Sequence, residues 1–161
     1  MASGNTLCVF TPLHNQAPAA SFATMDLRNS VPVLDFDAAA DEDAVFAGVL
    51  PRHYAGGGLT VTVYWMATSA TTGDVKWNVQ IERSNTDQDA DSFAAAQTTT
   101  TTTNGTSGII TATAVTFTNG AAMDSLAVGE VFRLKVTRDA NDAADTMTAD
   151  AELVAVEIRE T

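Results

Sequence analysis

The sequence predicts an all-β protein: a two-sheet antiparallel sandwich with jelly-roll or Greek-key topology, preceded by an extended N-terminal arm. Apolar and polar residues alternate strictly along residues 58–66 and again along residues 75–83, as they do in half-buried strands. The chain is rich in Thr and only 17% charged, a composition that suits pleated surfaces better than disorder. At 161 residues it is long enough for one domain with a sizeable core.

The two alternating segments are predicted to form a central antiparallel hairpin. Their link, Ala67 to Asp74, is rich in Ser, Thr and Gly, as expected of a connection between strands. Tyr64 points away from the apolar face, so we expect it at an interface. The inward residues are Leu59, Val61, Val63 and Trp65 in the first segment and Val75, Trp77, Val79 and Ile81 in the second.

The other strands follow from shorter alternating or apolar runs between turn residues. Pro32 lacks a backbone N–H, so we expect its strand to lie at the edge of a sheet. The Thr98–Thr103 run does not alternate and is compatible with either an edge strand or a loop. The remaining predicted strands are residues 21–29, 31–36, 44–50, 108–118, 131–138 and 152–160.

Together these strands predict the core of the sandwich. Each alternating run places one set of large apolar side chains on the face that is buried. The predicted core residues are Leu59, Val61, Val63, Trp65, Trp77, Val79, Ile81, Phe132, Leu134, Val136, Val154, Val156 and Ile158.

Residues 1–20 are predicted to be an extended arm, and residues 21–161 the sandwich domain. The segment contains Pro12 and Pro18 and has few apolar residues to offer a core. We expect the arm to lie on the surface of its own domain or of a neighbouring subunit, dispensable for folding but needed for assembly. The interface candidates are Leu7, Val9, Phe10 and Leu13 in the arm and Tyr64 in the hairpin.

Charge excludes several partners. Lys and Arg number 8 against 20 Asp and Glu, so the net charge is -12, which repels nucleic acid and anionic membranes.

The first residues lack the basic region and apolar run of a signal peptide, and no stretch reaches the roughly 18 apolar residues of a membrane span. The single cysteine, Cys8, excludes an internal disulfide. We therefore expect the chain to be made as a soluble cytoplasmic protein.

The strongest metal candidates are Asp87, Asp89 and Asp91, which alternate like the start of a calcium loop. An EF-hand requires Gly and Glu where this chain has Ser92 and Thr98, so that motif is absent. A solvated acidic loop is the simpler interpretation, and we expect no metal and no cofactor. The two histidines have no neighbours at ligand spacing, and no two carboxylates stand out as a catalytic pair, so we expect no enzymatic activity.

Several motifs together resemble a family of small jelly-roll proteins of tailed bacteriophages. The motifs are Leu-Pro-x-x-Tyr-x-Gly-Gly from Leu50, the aromatic hairpin after it, the Asp-rich segment ending in Ser92-Phe93, and Glu-Leu-x-x-Val-Glu-Ile from Glu152. The similarity runs from about Asn29 to the C-terminus. These motifs mark the fold and carry no catalytic residues to transfer.

The resemblance implies a structural role in a phage particle, above all that of a capsid cement or decoration protein on the outer surface of the virion. Its implied partners are the major capsid protein and copies of itself, with a homotrimer as the expected assembly. The acidic charge suits the outside of a shell better than an interior packed with DNA. The alternative is a carbohydrate- or receptor-binding β-sandwich module of a tail or fibre.

Overall fold

The computed structural model describes residues 4–84 and 87–161, and within them the chain forms ten strands and two single-turn 3-10 helices. The helices are Pro12–His14 and Ala121–Met123, and no helix in the described part is long and apolar enough to cross a membrane. The strands are β1 Thr6–Phe10, β2 Thr24–Arg28, β3 Val31–Phe36, β4 Glu42–Val49, β5 Leu59–Ala67, β6 Asp74–Ser84, β7 Gln97–Thr102, β8 Thr111–Phe117, β9 Val131–Arg138 and β10 Ala151–Glu160.

The strands form two antiparallel sheets, which confirms the predicted sandwich. The larger sheet has the order β2-β3-β10-β5-β8, and β1 also pairs with β10. The smaller sheet has the order β4-β9-β6-β7, so the Thr-rich run is an edge strand. β3 is not an edge strand as predicted, because β2 pairs outside it. Pro32 is tolerated because β10 pairs only with Leu34–Phe36, beyond the proline.

The core lies between the sheets and is centred on aromatic contacts. The Trp65 and Trp77 rings meet with centroids 5.9 Å apart, and the Phe36 ring meets Trp77 edge-on at 5.1 Å. The Trp65 indole N–H donates to Thr113 Oγ1 at 2.9 Å, which satisfies a fully buried donor. Every predicted core residue is buried here except Val154.

Val154 is displaced from the core by a bulge in β10. The pairing of β10 with β5 shifts between Leu153 and Ala155, so one extra residue is accommodated there. Leu153 and Val156 both face the core although they are three positions apart. A bulge reverses the alternation, so the prediction that extended the pattern of Val156 and Ile158 back to Val154 was wrong.

The predicted central hairpin is also wrong in its pairing. β5 pairs with β10 and β8 in the larger sheet, whereas β6 pairs with β7 and β9 in the smaller one. The link therefore crosses between two sheets, which stack about 10 Å apart, and joins no adjacent strands. Both strands present their apolar side chains to the core, but they do so from opposite sides.

The predicted arm is largely part of the domain. β1 pairs with the second half of β10, with Phe10 opposite Val156. Leu7 and Phe10 are buried in the core, and the Phe10 ring stacks on Phe46 with centroids 5.3 Å apart. Without β1, this half of β10 would have an unpaired edge, which explains why a segment poor in apolar residues is held here.

The segment after β1 crosses to the smaller sheet and pairs with the free edge of β4. The Gln16 N–H donates to the Val45 carbonyl at 2.7 Å, and the Val45 N–H donates to Asn15 Oδ1 at 3.0 Å. Further along, the Ala23 N–H donates to the Asp43 carbonyl at 3.0 Å. Residues 6–23 therefore connect both sheets along one side of the sandwich.

We predict that Phe10→Ala lowers the free energy of unfolding by about 3 to 5 kcal/mol, because it leaves a cavity between the sheets. Its neighbour Val9 is 55% exposed, so Val9→Ala is a matched control that should change stability by less than about 0.5 kcal/mol. Urea titration followed by tryptophan fluorescence measures both. Equal stabilities of the two variants would restore the prediction of a dispensable arm.

Candidate functional site

The Asp-rich loop forms a turn in the structure. The Asp91 N–H donates to the Asp87 carbonyl at 2.9 Å, and the Asp89 N–H donates to Asp87 Oδ1 at 3.0 Å. Across the described ranges, no group of three or more His, Cys, Asp or Glu side chains is placed to hold a metal ion. The loop therefore gives no geometry from which to build a metal site.

A strip of outward-facing side chains runs along β5 on the outer face of the larger sheet. Thr60, Thr62, Tyr64 and Met66 alternate with the core residues of β5 and so point away from the core. Thr60 and Thr62 are only 7% and 6% exposed. The facing residues of β8, Ala112, Ala114 and Thr116, are exposed and mostly small. We call this strip, from Thr60 to Met66, the groove. It is about 20 Å long, at about 3.3 Å per residue.

Tyr64 and Glu157 form the polar centre of the groove. The Tyr64 hydroxyl donates to Glu157 Oε2 at 3.1 Å, and Thr6 Oγ1 donates to Glu157 Oε1 at 2.5 Å. Burial and the Glu157 carboxylate both raise the pKa of the Tyr64 phenol, so it stays protonated as a donor. The hydrogen bond holds the half-buried ring in one orientation at the surface of the groove.

The tip of the β2–β3 hairpin bends over one end of this face. Asn29 and Ser30 form the tip with φ values of 48° and 65°. From β2, Arg28 Nη1 donates to the Ala67 carbonyl of β5 at 3.0 Å and pairs with Glu152 of β10. β2 and β5 would be about 14 Å apart in a flat sheet, so this contact shows that the hairpin tip bends toward β5 over the outer face.

Beneath the hairpin tip lies an apolar hollow of about 340 Å³. It continues into a smaller recess of about 220 Å³ beside Pro12 and Leu13, with which it shares Val31 and Val154. Because Met66 also lies on the outward face of β5, the hollow joins the end of the groove. The hollow is lined by Arg28, Asn29, Val31, Met66, Gly108, Ile110 and Val154.

An acidic pair lies behind the hairpin tip. Asp35 on β3 is directly opposite Glu152 on β10. Burial raises the pKa of Asp35 to about 6, and the nearby carboxylates of Asp150, Glu152, Asp26 and Glu42 add to this effect. Asp35 Oδ1 is buried and has no hydrogen-bond partner within the described residues.

The predicted interface residues differ in whether they are buried or exposed in the structure. Leu7 and Phe10 are buried in the core, so neither is available to a partner. Val9 and Leu13 are 55% and 73% exposed. Tyr64 faces outward as predicted and lies in the groove.

Sequence reasoning did not identify Arg28, Glu152, Val154, Glu157 or Met66 as site residues. The alternation along the last strand could have placed Glu157 on the outer face. Nothing in the sequence indicates that Arg28 contacts Glu152, because the two residues are separated by 124 positions. Their proximity comes from the strand order of the larger sheet.

Comparison with known proteins gives the fold. No protein-family model matches the chain, and no curated protein matches it in sequence. Among solved structures, it is similar to the CBM22-2 xylan-binding domain of Paenibacillus barcinonensis Xyn10C, with a TM-score of 0.53, 14% identity and 92% of each chain covered. It is also similar to the CBM36-1 domain of a multidomain xylanase from the hindgut metagenome of Trinervitermes trinervoides, with a TM-score of 0.53, 10% identity and 96% of each chain covered.

A third similar structure is Xyl-CBM35 in complex with a glucuronic acid containing disaccharide. Its TM-score is 0.50 at 8% identity, over 93% of this chain and 91% of that one. The chain therefore has the β-sandwich fold of these carbohydrate-binding modules. At identities this low the similarity shows the fold alone, so the ligand has to be argued from the residues of the site.

We predict that Asp35→Asn stabilises the protein at pH 8 and that this gain shrinks toward pH 4. The pKa of Asp35 in the folded state, about 6, lies above the ordinary 3.8, so the fold favours the protonated form. Its contribution to stability is therefore lost as the pH rises from about 4 to above 6. Melting temperatures across this range measure the effect. Asp89→Asn, in the exposed loop, is the control, and an equal pH trend in both variants would contradict the assignment to Asp35.

Proposed function

We propose that the protein is a non-catalytic carbohydrate-binding module whose ligand lies in the groove along β5. The observation that carries the proposal is Tyr64, a half-buried aromatic ring held by Glu157 on the outer face of the larger sheet. A linear polysaccharide needs an open, elongated surface, and the groove supplies about 20 Å of it. The fold, shared with a module described as xylan-binding, supports this class of ligand.

The groove residues have the chemistry that sugars require. The C–H face of a sugar ring packs on an aromatic ring, while its hydroxyls need hydrogen-bond donors and acceptors. Glu157 accepts, and the exposed side chains of Arg159 and Thr116 lie further along the same face. Tyr64 therefore provides the stacking surface, and the polar residues around it orient the ring.

Charge favours a neutral polysaccharide. The net charge of -12 repels polyanionic chains at a distance.

Hydrolysis of glycosidic bonds uses two carboxyl groups flanking the bond. Glu152, the next acidic residue along this face in the described structure, is buried in an ion pair with Arg28, so the proposed role is binding without cleavage.

Tyr64→Ala should weaken polysaccharide binding at least tenfold, because stacking on the ring is lost together with the hydrogen bond to Glu157. Affinity electrophoresis in gels containing xylan, glucomannan or galactan, followed by calorimetry, measures the binding. Phe22→Ala removes an exposed aromatic ring that lies outside the groove and serves as the control. Retardation by no glycan, or equal retardation of wild type and Tyr64→Ala, would refute the proposal.

The second candidate function is that of a virion decoration protein bound to the outer capsid surface as an oligomer, as the phage resemblance implies. The observation that favours it is a set of exposed apolar side chains near the N-terminal segment and the β2–β3 hairpin. Such side chains commonly mark protein interfaces. They are Val9, Leu13, Met25, Leu27 and Val31.

This candidate predicts binding to assembled shells of the major capsid protein and to no glycan. Leu13, the most exposed of these residues, should then matter, and Leu13→Asp should reduce co-sedimentation with shells several-fold. Ile109→Asp, on an exposed residue outside this set, is the control. Glycan binding without shell binding would eliminate this candidate, and the converse result would eliminate the carbohydrate-binding one.

A further inference from the structure

The hollow under the β2–β3 hairpin tip is chemically different from the groove that it joins. No aromatic ring lines it, and its surface is formed mainly by Val31, Met66, Ile110 and Val154. Val31 and Ile110 are about half exposed. A concave apolar surface of this kind gains free energy when an apolar group covers it, at about 25 cal/mol per Å².

A bare sugar ring fits this hollow poorly. Sugar hydroxyls that lose their water need protein partners, and Val31, Met66, Ile110 and Val154 supply none, so each hydroxyl placed against these side chains costs free energy. A short acyl group is better matched, because it presents a methyl group to the wall and has a single carbonyl oxygen to satisfy. The hollow, at about 340 Å³, is large enough for such a group together with part of the ring that carries it.

Arg28 is placed to satisfy that oxygen. Its guanidinium lies at one wall of the hollow and donates to the carbonyls of Ala67 and Thr68 and to Glu152. With five N–H groups, it retains donors after these bonds are made.

Local charge decides against an anionic occupant. The positive charge of Arg28 is balanced by Glu152, and Asp35 lies directly opposite Glu152 in the sheet. A carboxylate in the hollow would therefore meet a surface with no net positive charge, whereas the dipole of a neutral ester carbonyl still accepts a hydrogen bond.

We infer that the hollow binds an O-acyl substituent, such as an acetyl ester, of the polysaccharide held in the groove. This inference rests on the proposed carbohydrate-binding function and specifies its ligand. Tyr64 and Met66 point the same way from β5 two residues apart, which separates them by about 7 Å. A sugar stacked on Tyr64 thus lies close enough to Met66 for an O-acyl substituent to reach the hollow.

The test compares xylan and glucomannan in their natively acetylated forms with the same preparations after mild alkaline deacetylation. Calorimetry with the wild-type protein should give about fourfold tighter binding of the acetylated form, the value expected for burying one methyl-sized group. Ile110→Ser should bring this ratio close to one. Ile109→Ser is the matched control, because Ile109 is 49% exposed beside Ile110 at 52% but does not line the hollow, and it should keep the ratio.

A local readout separates the hollow from the rest of the groove. With methyl-labelled methionine, the Met66 methyl resonance, assigned with Met66→Leu, should shift with the acetylated oligosaccharide and shift much less with the deacetylated one. Equal affinities for the two forms, or an unmoved Met66 resonance, would overturn the acyl inference while leaving the carbohydrate-binding function intact. Failure of both forms to bind would refute the proposed function, and the inference with it.

Discussion

The bulge between Leu153 and Ala155 in β10 is the constraint on which the rest of the structure depends. Before the bulge, β10 pairs with β3, and after it, with β1. One strand edge thus serves two partners, and the part of β3 that precedes Leu34 is free to leave the sheet. The β2–β3 tip then bends over the outer face, and Val154 is turned outward beneath it. The bulge thereby contributes Val154 to the lining of the hollow.

The change of pairing partner along β10, from β3 to β1, also explains why the N-terminal segment is held against the domain. A sandwich of two open sheets has free edges whose backbone groups must be satisfied. The second half of β10 and the outer edge of β4 lie on one side of the molecule, and residues 6–23 bond to both in turn. Leu7 and Phe10 are the large apolar side chains that this segment places in the core, and their small number is why its composition resembles that of a loose arm.

Alternation predicted the sheets' inner faces well, because each strand shows only one apolar face and the side-chain period is two. It also gave the outward direction of Tyr64 correctly. It could not give strand partners: β5 and β6 face the same core whether they pair with each other or lie in opposite sheets. It failed at Val154 because a bulge leaves no signal in the sequence. The remaining site residues, Arg28 and Glu152, come together only through strand order.

The ion pair between Arg28 and Glu152 fixes the position of the hairpin tip more than it stabilises the fold. Removing two charges from water offsets much of their attraction, so a largely buried pair contributes little net stability, whereas its geometry is demanding. Arg28 bonds to the carbonyls of Ala67 and Thr68 as well as to Glu152, so three acceptors fix the hairpin tip over the sheet. Gly108 completes the arrangement, since a Cβ atom there would lie 2.8 Å from Arg28 Nη2. The position of the hairpin tip, and with it the shape of the hollow, is therefore set by the hydrogen bonds of Arg28.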